Sequence, residues 1–177
     1  MANNLNLSPD GELVASLNAL RALEYAGPAA NGQHLVPGIF FSLDPDSANT
    51  VEVTSRQGEL MTMRMGVDKP GRWLTLNMTA GSADFSACKI VGFACKLDAP
   101  VTTTFRVCLR CGDGGGHKDT FFPKTVVAYP KTALHLDVME IEANPDIRVR
   151  APWREIVMFF PRESAEITLR DFRFIVI

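Results

Sequence analysis

Histidine pairs, long apolar runs and an excess of either charge are missing from this chain, and each absence excludes a class of protein. The three histidines, His34, His117 and His135, form no His-x-His pair, which excludes a metal site built on such a pair. No apolar run reaches the roughly 18 residues that span a bilayer. The net charge of −2 gives no electrostatic reason to expect nucleic acid or an anionic membrane as a partner.

The first twelve residues, MANNLNLSPDGE, have neither a basic start nor an apolar core. They therefore lack the pattern of a secretory signal. As written, the sequence predicts a cytoplasmic protein, or an extracellular one if a leader was removed.

The four cysteines do not form a recognisable zinc pattern. Cys108 and Cys111 make one C-x-x-C, whereas a four-thiolate site needs two. In a continuous strand their Cα atoms would be about 10 Å apart, beyond the reach of a disulfide. We expect buried or half-buried free thiols in a reducing compartment, and the sequence leaves their role open.

Catalytic motifs fail on closer inspection. The glycine-rich segment 111–117 follows a strand, but it lacks the Lys-Ser/Thr of a phosphate loop and no helix follows it, so we interpret it as a hairpin loop. His135 and Asp137 have the spacing of two iron ligands, but no later histidine supplies a third. No G-x-S-x-G is present. Cys111 with His117 is the one local pair of nucleophile and base, but the glycine-rich loop between them is too flexible to hold the pair rigidly. We therefore predict a protein that is not an enzyme.

The chain length suits one domain, which we divide into an N-terminal arm (1–26) and a β-sandwich (27–177). Leucines near a helical stripe favour a helix over residues 12–25, although the same residues also fit a strand. About ten short apolar runs separated by turn residues follow from residue 39 onward. This spacing predicts an all-β, antiparallel sandwich of jelly-roll type, with a short N-terminal arm or helix.

The final stretch, 151–177, contains the most apolar strands, and we interpret it as a hairpin at the centre of the sandwich. The run 156–160 is apolar on both faces, which predicts a central strand covered on both sides. In 167–177 the apolar parity changes, which predicts a β-bulge near Arg170 and Asp171. Trp153 either closes the end of the core or lies at a binding rim.

Alternation assigns the faces of three other strands. We expect Leu74, Leu76 and Met78, then Phe105, Val107 and Leu109, then Leu134, Leu136 and Val138 to face the core. The side chains between them form a polar and aromatic set that could stack on a sugar ring and bind its hydroxyls. The predicted ligand-binding residues are Trp73, Asn77, Arg106, Arg110, His135 and Asp137.

The segment 151–177 resembles the end of the jelly-roll, galactose-binding-like carbohydrate-binding modules that are attached to xylanases and glucanases. Trp153 stands before one strand and Asp171 lies inside the last, as in those modules. Residues 73–79 and 88–110 resemble their paired central strands, and 20–27 resembles their first strand. The resemblance implies a non-catalytic module, a glycan ligand and a structural Ca²⁺ without named ligands.

The leading hypothesis is therefore a carbohydrate-binding module that holds a saccharide on one sheet. The alternative is a protein-interaction or assembly domain that uses the exposed sheet. We predict no cofactor apart from the calcium ion that the resemblance allows. The particular saccharide and the oligomeric state are left open by the sequence.

Overall fold

The computed structural model describes residues 8–177, and the part of the predicted arm before Ser8 lies outside them. Within this range the chain forms one helix and thirteen strands. In chain order they are α1 (Gly11–Ala22), β1 (Tyr25–Pro28), β2 (His34–Val36), β3 (Ile39–Leu43), β4 (Asn49–Ser55), β5 (Met61–Val67), β6 (Leu74–Gly81), β7 (Ile90–Asp98), β8 (Thr103–Gly112), β9 (His117–Phe121), β10 (Val126–Ala128), β11 (Ala133–Glu140), β12 (Arg154–Phe159) and β13 (Ala165–Val176).

The strands form two antiparallel sheets that pack face to face. One sheet has six strands in the order β1-β4-β5-β13-β7-β11. The other has seven, in the order β10-β8-β12-β6-β3-β2, and β9 pairs with β8. The all-β jelly-roll sandwich predicted from the turn spacing is therefore confirmed.

Alternation placed two of the three tested strands correctly. Leu74, Leu76 and Met78 of β6 are buried in the core between the sheets. The apolar positions of β8 are buried there as well, and these are Phe105, Val107 and Leu109. In both strands the apolar side chains alternate with polar or smaller ones, so parity predicts the face that packs against the other sheet.

In β11 the predicted faces are wrong. Leu134, Leu136 and Val138 are 73%, 50% and 44% exposed, whereas Asp137 is buried. The Asp137 carboxylate accepts hydrogen bonds from the backbone N–H groups of Lys124 (2.7 Å) and Val138 (3.0 Å). These bonds compensate for burying the carboxylate, so the polar side of the strand turns inward.

The C-terminal strands confirm two predictions and correct a third. β12 lies between β6 and β8 at the centre of the seven-stranded sheet, as its two apolar faces predict. β13 carries the predicted bulge, since its register with β7 shifts between Leu169 and Asp171. The two strands do not form a hairpin, because they belong to different sheets. The link 160–164 therefore crosses from one sheet to the other. Its short length is compatible with a hairpin as well as with such a crossover, so the sequence does not distinguish the two.

The N-terminal helix closes one side of the sandwich. Leu13, Leu17 and Leu20 of α1 belong to the same core cluster as the strands. Arg21 forms a salt bridge with Asp171 at the bulge of β13. The sandwich begins with β1 at Tyr25, so the segment 12–25 contains a helix followed by the start of a strand.

Candidate functional site

The outer face of the seven-stranded sheet collects most of the predicted binding residues. We call it the candidate face. The register of β6, β12 and β8 places their outward side chains side by side in rows that follow one another about 7 Å apart along the strands. These outward side chains, with those of β3 and β9, are Ser42, Thr75, Asn77, Thr79, Arg106, Cys108, Arg110, Asp119, Phe121, Glu155, Val157 and Phe159.

A hydrogen-bonded network fixes the middle of the candidate face. Asn77 donates from Nδ2 to Oε2 of Glu155 (2.9 Å), and its Oδ1 accepts from the hydroxyl of Thr75 (2.7 Å). Asn77 and Thr75 are buried, so the bond between them is shielded from water, whereas the bond to Glu155 is partly buried. Each polar group is therefore held in one orientation before any ligand arrives.

A paired arginine lies in the next row. Arg110 donates from Nε and Nη2 to the two carboxylate oxygens of Asp119, at 2.7 and 2.8 Å. The side chains are 18% and 22% exposed, and the hydrogen bonds to Asp119 raise the pKa of Arg110. Glu155 lies opposite Arg110 in the register. The row therefore presents fixed donors and acceptors in alternation.

Aromatic rings line the same face at the other end of β8. The rings of Phe121 and Phe159 are 5.4 Å apart between centroids. The guanidinium carbon of Arg106 lies 4.1 Å from the centroid of Phe121. An open pocket of about 430 Å³ lies beside them. Its lining residues are Thr104, Phe105, Arg106, Phe121, Thr125, Phe159, Phe160 and Pro161.

Trp73 belongs to the candidate face and not to the core. Its side chain is half-buried, and its indole Nε1 donates to Oγ of Ser42 at 3.1 Å. The guanidinium of Arg72 lies 4.9 Å from the indole ring. The ring is thus held at the entry to β6, at one end of the face.

Trp153 lies at the opposite end, which answers the question that its sequence position left open. It is 37% exposed, and its ring occupies the space that a side chain on Gly112 would need. The ring of His117 is 6.3 Å away between centroids. A pocket of about 440 Å³ separates Trp153 from the loop 114–116. Trp153 is therefore a rim residue.

His135 and Asp137 are not part of this face. Both lie on β11 of the six-stranded sheet, on its inner side. The ring of His135 stacks on Phe93 at 5.5 Å between centroids, and burial lowers the pKa of the imidazole. The structure brings together four of the six predicted residues and separates these two from them. The prediction failed for these two because it assigned the inward face of β11 on hydrophobicity alone.

Sequence reasoning missed several residues that the fold adds. Phe159 was interpreted as part of the apolar run 156–160, and Glu155 lies just before that run, so neither was proposed as a site residue. Asp119 was predictable, since a hairpin closed by the loop 113–116 places it opposite Arg110. The register of that hairpin is the signal that could have found it.

Both thiols of the C-x-x-C are buried. Cys108 lies on the candidate face, Cys111 lies in the core cluster, and all four cysteines are unpaired. Burial raises the pKa of Cys111, so this thiol is poorly suited to act as a nucleophile with His117. The loop between β8 and β9 is the hairpin loop predicted from its glycines.

The described residues give little support for a metal. No group of three or more His, Cys, Asp or Glu side chains within residues 8–177 could hold a metal ion. The residues therefore do not fit a carboxylate-rich calcium site, and a structural calcium ion stays a prediction without ligands. Within the same range, no helix is long and apolar enough to cross a membrane.

The sandwich has the fold of carbohydrate-binding modules, which confirms the resemblance predicted from the sequence at the level of the fold. A family 4 module superposes on 92% of this chain and 100% of its own length, with a TM-score of 0.62 and 17% identity. A xylan-binding family 22 domain of Paenibacillus barcinonensis Xyn10C covers 88% of this chain and 97% of its own, with a TM-score of 0.52 and 9% identity.

A family 11 module of Clostridium thermocellum has been solved in complex with a β-1,3-1,4-mixed-linked tetrasaccharide. It covers 86% of this chain and 96% of its own length, with a TM-score of 0.54 and 8% identity. No family model matches the sequence, and no curated protein matches it either. At these identities the similarity defines the fold alone.

Proposed function

We propose that this protein is a non-catalytic carbohydrate-binding module that holds a saccharide on the candidate face. The observation that carries the proposal is the pair of fixed polar contacts, Asn77–Glu155 and Arg110–Asp119, on a face that has a tryptophan at each end. Trp73 and Trp153 are roughly 25 Å apart along the strand direction, as eight residues of strand imply. This length suits an oligosaccharide of several rings.

The chemistry of a sugar matches these groups. A pyranose ring has C–H faces that pack on an aromatic ring, and hydroxyls that both donate and accept hydrogen bonds. Carboxylates and amides whose orientation is already fixed bind hydroxyls without a further ordering cost. The candidate face supplies both kinds of group in adjacent rows.

The similar solved structures support this choice of ligand class. One of them is described as xylan-binding, and another holds a mixed-linked β-glucan tetrasaccharide. Linear β-linked glycans are therefore the first compounds to test against this chain.

The test is a glycan array followed by calorimetric titration of each glycan that binds. Because Trp73 would supply a stacking surface, Trp73→Ala should weaken binding by about tenfold or more. His135→Gln is the matched control, since His135 lies on the other sheet, and it should leave the affinity unchanged. Binding to no glycan on the array, or equal loss in both variants, would contradict the proposal.

A second candidate function, self-assembly, is favoured by one observation. Leu134, Leu136 and Val138 are exposed along the outer face of β11. One carbonyl of this edge strand, that of Leu136, already accepts a hydrogen bond from Lys124 Nζ at 2.9 Å, which disfavours pairing with another strand there. A second copy would therefore pack on the face and would not extend the sheet. Light scattering should show a mass that rises with concentration, and Leu136→Lys should abolish the rise.

A further inference from the structure

Arg106 is a cation of the candidate face that has no acidic partner among residues 8–177. It is exposed on β8, and within residues 8–177 no carboxylate lies within salt-bridge distance of its guanidinium. Arg110, farther along the same strand, donates from Nε and Nη2 to both carboxylate oxygens of Asp119. The two arginines on this strand therefore differ in what they can still bind.

The guanidinium of Arg106 is held in place all the same. It lies over the ring of Phe121 at 4.1 Å, and Phe159 packs beside that ring at 5.4 Å. Stacking on a ring fixes the plane of a guanidinium and leaves its N–H groups free at the edge. Less freedom is then lost when those N–H groups bind a planar carboxylate.

The pocket beside Arg106 has a composition that suits such an anion. It contains the guanidinium of Arg106, the hydroxyls of Thr104 and Thr125, and apolar walls that include Phe159 and Pro161. Among the described residues that line it, none has an acidic side chain. An apolar wall fits the C–H face of a sugar ring, whereas the cation requires a negative group on that ring.

We propose that the saccharide recognised by the candidate face bears a carboxylate, as a uronic acid does, and that Arg106 binds it. The inference rests on the proposed carbohydrate-binding function and adds the charge of the ligand. A neutral sugar in the same pocket would shield the guanidinium from water and offer it no counter-charge, which favours the acidic ligand.

The experiment compares each acidic sugar with its own neutral form. Tetragalacturonate and a glucuronic-acid-substituted xylan oligosaccharide are titrated calorimetrically, each beside its carboxyl-reduced form. We expect at least one acidic form to bind about tenfold more tightly than its reduced form, because a bidentate charged contact is lost on reduction. Raising the salt concentration should reduce this difference.

Variants assign the difference to Arg106. Arg106→Gln should lower the affinity for the acidic form to that for the reduced form, and Arg106→Lys should restore only part of the difference because the planar fork is lost. Arg64→Gln, an exposed arginine of the six-stranded sheet, is the control and should change nothing. Unfolding midpoints check that each variant is folded.

The outcomes separate the two proposals. Equal binding of acidic and reduced forms, binding of neutral glycans alone, or a loss in Arg106→Gln that is equal for both forms would overturn the charge inference and leave the carbohydrate-binding proposal intact. Binding of no saccharide in any form would overturn both.

Discussion

The indole of Trp153 occupies the space where Gly112 would carry a side chain. A Cβ on Gly112 would lie 2.4 Å from Nε1 of the indole, and the N–H of Gly112 donates to the carbonyl of Trp153 at 3.0 Å. The absence of a side chain at Gly112 therefore allows Trp153 to lie over the end of β8. The shape of one rim of the candidate face depends on this glycine.

Replacing Gly112 by alanine should displace Trp153. A Cβ closer than 3 Å to a rigid ring cannot be accommodated by a small side-chain adjustment, so the indole must move away from β8. We expect a change in tryptophan fluorescence and a weaker affinity for any glycan that binds. Gly115→Ala is the control, since a Cβ there meets nothing within 4 Å. Unchanged fluorescence in Gly112→Ala would contradict this account.

Arg154 should be essential for stability. It is fully buried, and it donates to the carbonyls of Ala83 (2.6 Å), Arg148 (2.6 Å) and Val149 (2.8 Å). Its guanidinium also lies 3.9 Å from the ring centroid of Phe85. Arg154→Met would leave the carbonyls of Ala83 and Arg148 without their donor, whereas that of Val149 would still accept from the N–H of Phe85 at 2.8 Å. We expect the free energy of unfolding to fall by about 3–5 kcal/mol.

The control for this measurement is a nearby surface arginine. Arg150 is 77% exposed and pairs with Asp84. Arg150→Met should cost less than about 1 kcal/mol, because exposed ion pairs contribute little. Urea denaturation of both variants provides the comparison. Equal losses of unfolding free energy would show that the hydrogen bonds of Arg154 stabilise the fold no more than an exposed ion pair does.

Stability should fall in acid. Hydrogen bonds from Arg72 hold the pKa of Asp44 well below its usual range, and hydrogen bonds from Ser86 and Arg150 lower the pKa of Asp84 to about 2. A carboxylate with a lowered folded pKa stabilises the protein above its unfolded pKa, near pH 4, and this contribution is lost as the pH falls further. The free energy of unfolding should therefore drop below about pH 4.

Asp44→Asn measures how much Asp44 contributes to the loss of stability in acid. The variant should be less stable at pH 7 but should lose less on acidification, because the titrating group is gone. Asp46→Asn, an exposed neighbour, serves as the control and should keep the acid response of the unchanged protein. An identical acid response in all three proteins would rule out Asp44 as a contributor.

The cysteines should differ sharply in reactivity. Burial raises the pKa of Cys95 to about 12, and it also raises the pKa values of Cys108 and Cys111. Cys88 is the half-buried one. A thiol reagent at pH 8 should therefore modify one cysteine per folded chain quickly and all four in urea. Cys88→Ser should abolish the fast reaction, whereas Cys95→Ser should keep it.

The candidate site was only partly predictable from the sequence. Trp73, Asn77, Arg106 and Arg110 could be placed on one face, because each alternates with apolar residues that have to be buried. His135 and Asp137 were assigned to that face by the same rule, and there the rule failed. The bonds that allow Asp137 to be buried come partly from Lys124, thirteen residues earlier in the chain. Alternation contains no information about such a partner.

Local residue patterns determined the strands, the turn between β8 and β9, the bulge at Arg170 and the central position of β12, since parity and turn chemistry act over a few residues. The tertiary structure alone decided that β12 and β13 belong to different sheets, that β11 turns Asp137 inward, and that Trp153 lies over Gly112. Each of these depends on contacts between segments distant in sequence, where the free energy of packing and of hydrogen bonding exceeds any local preference.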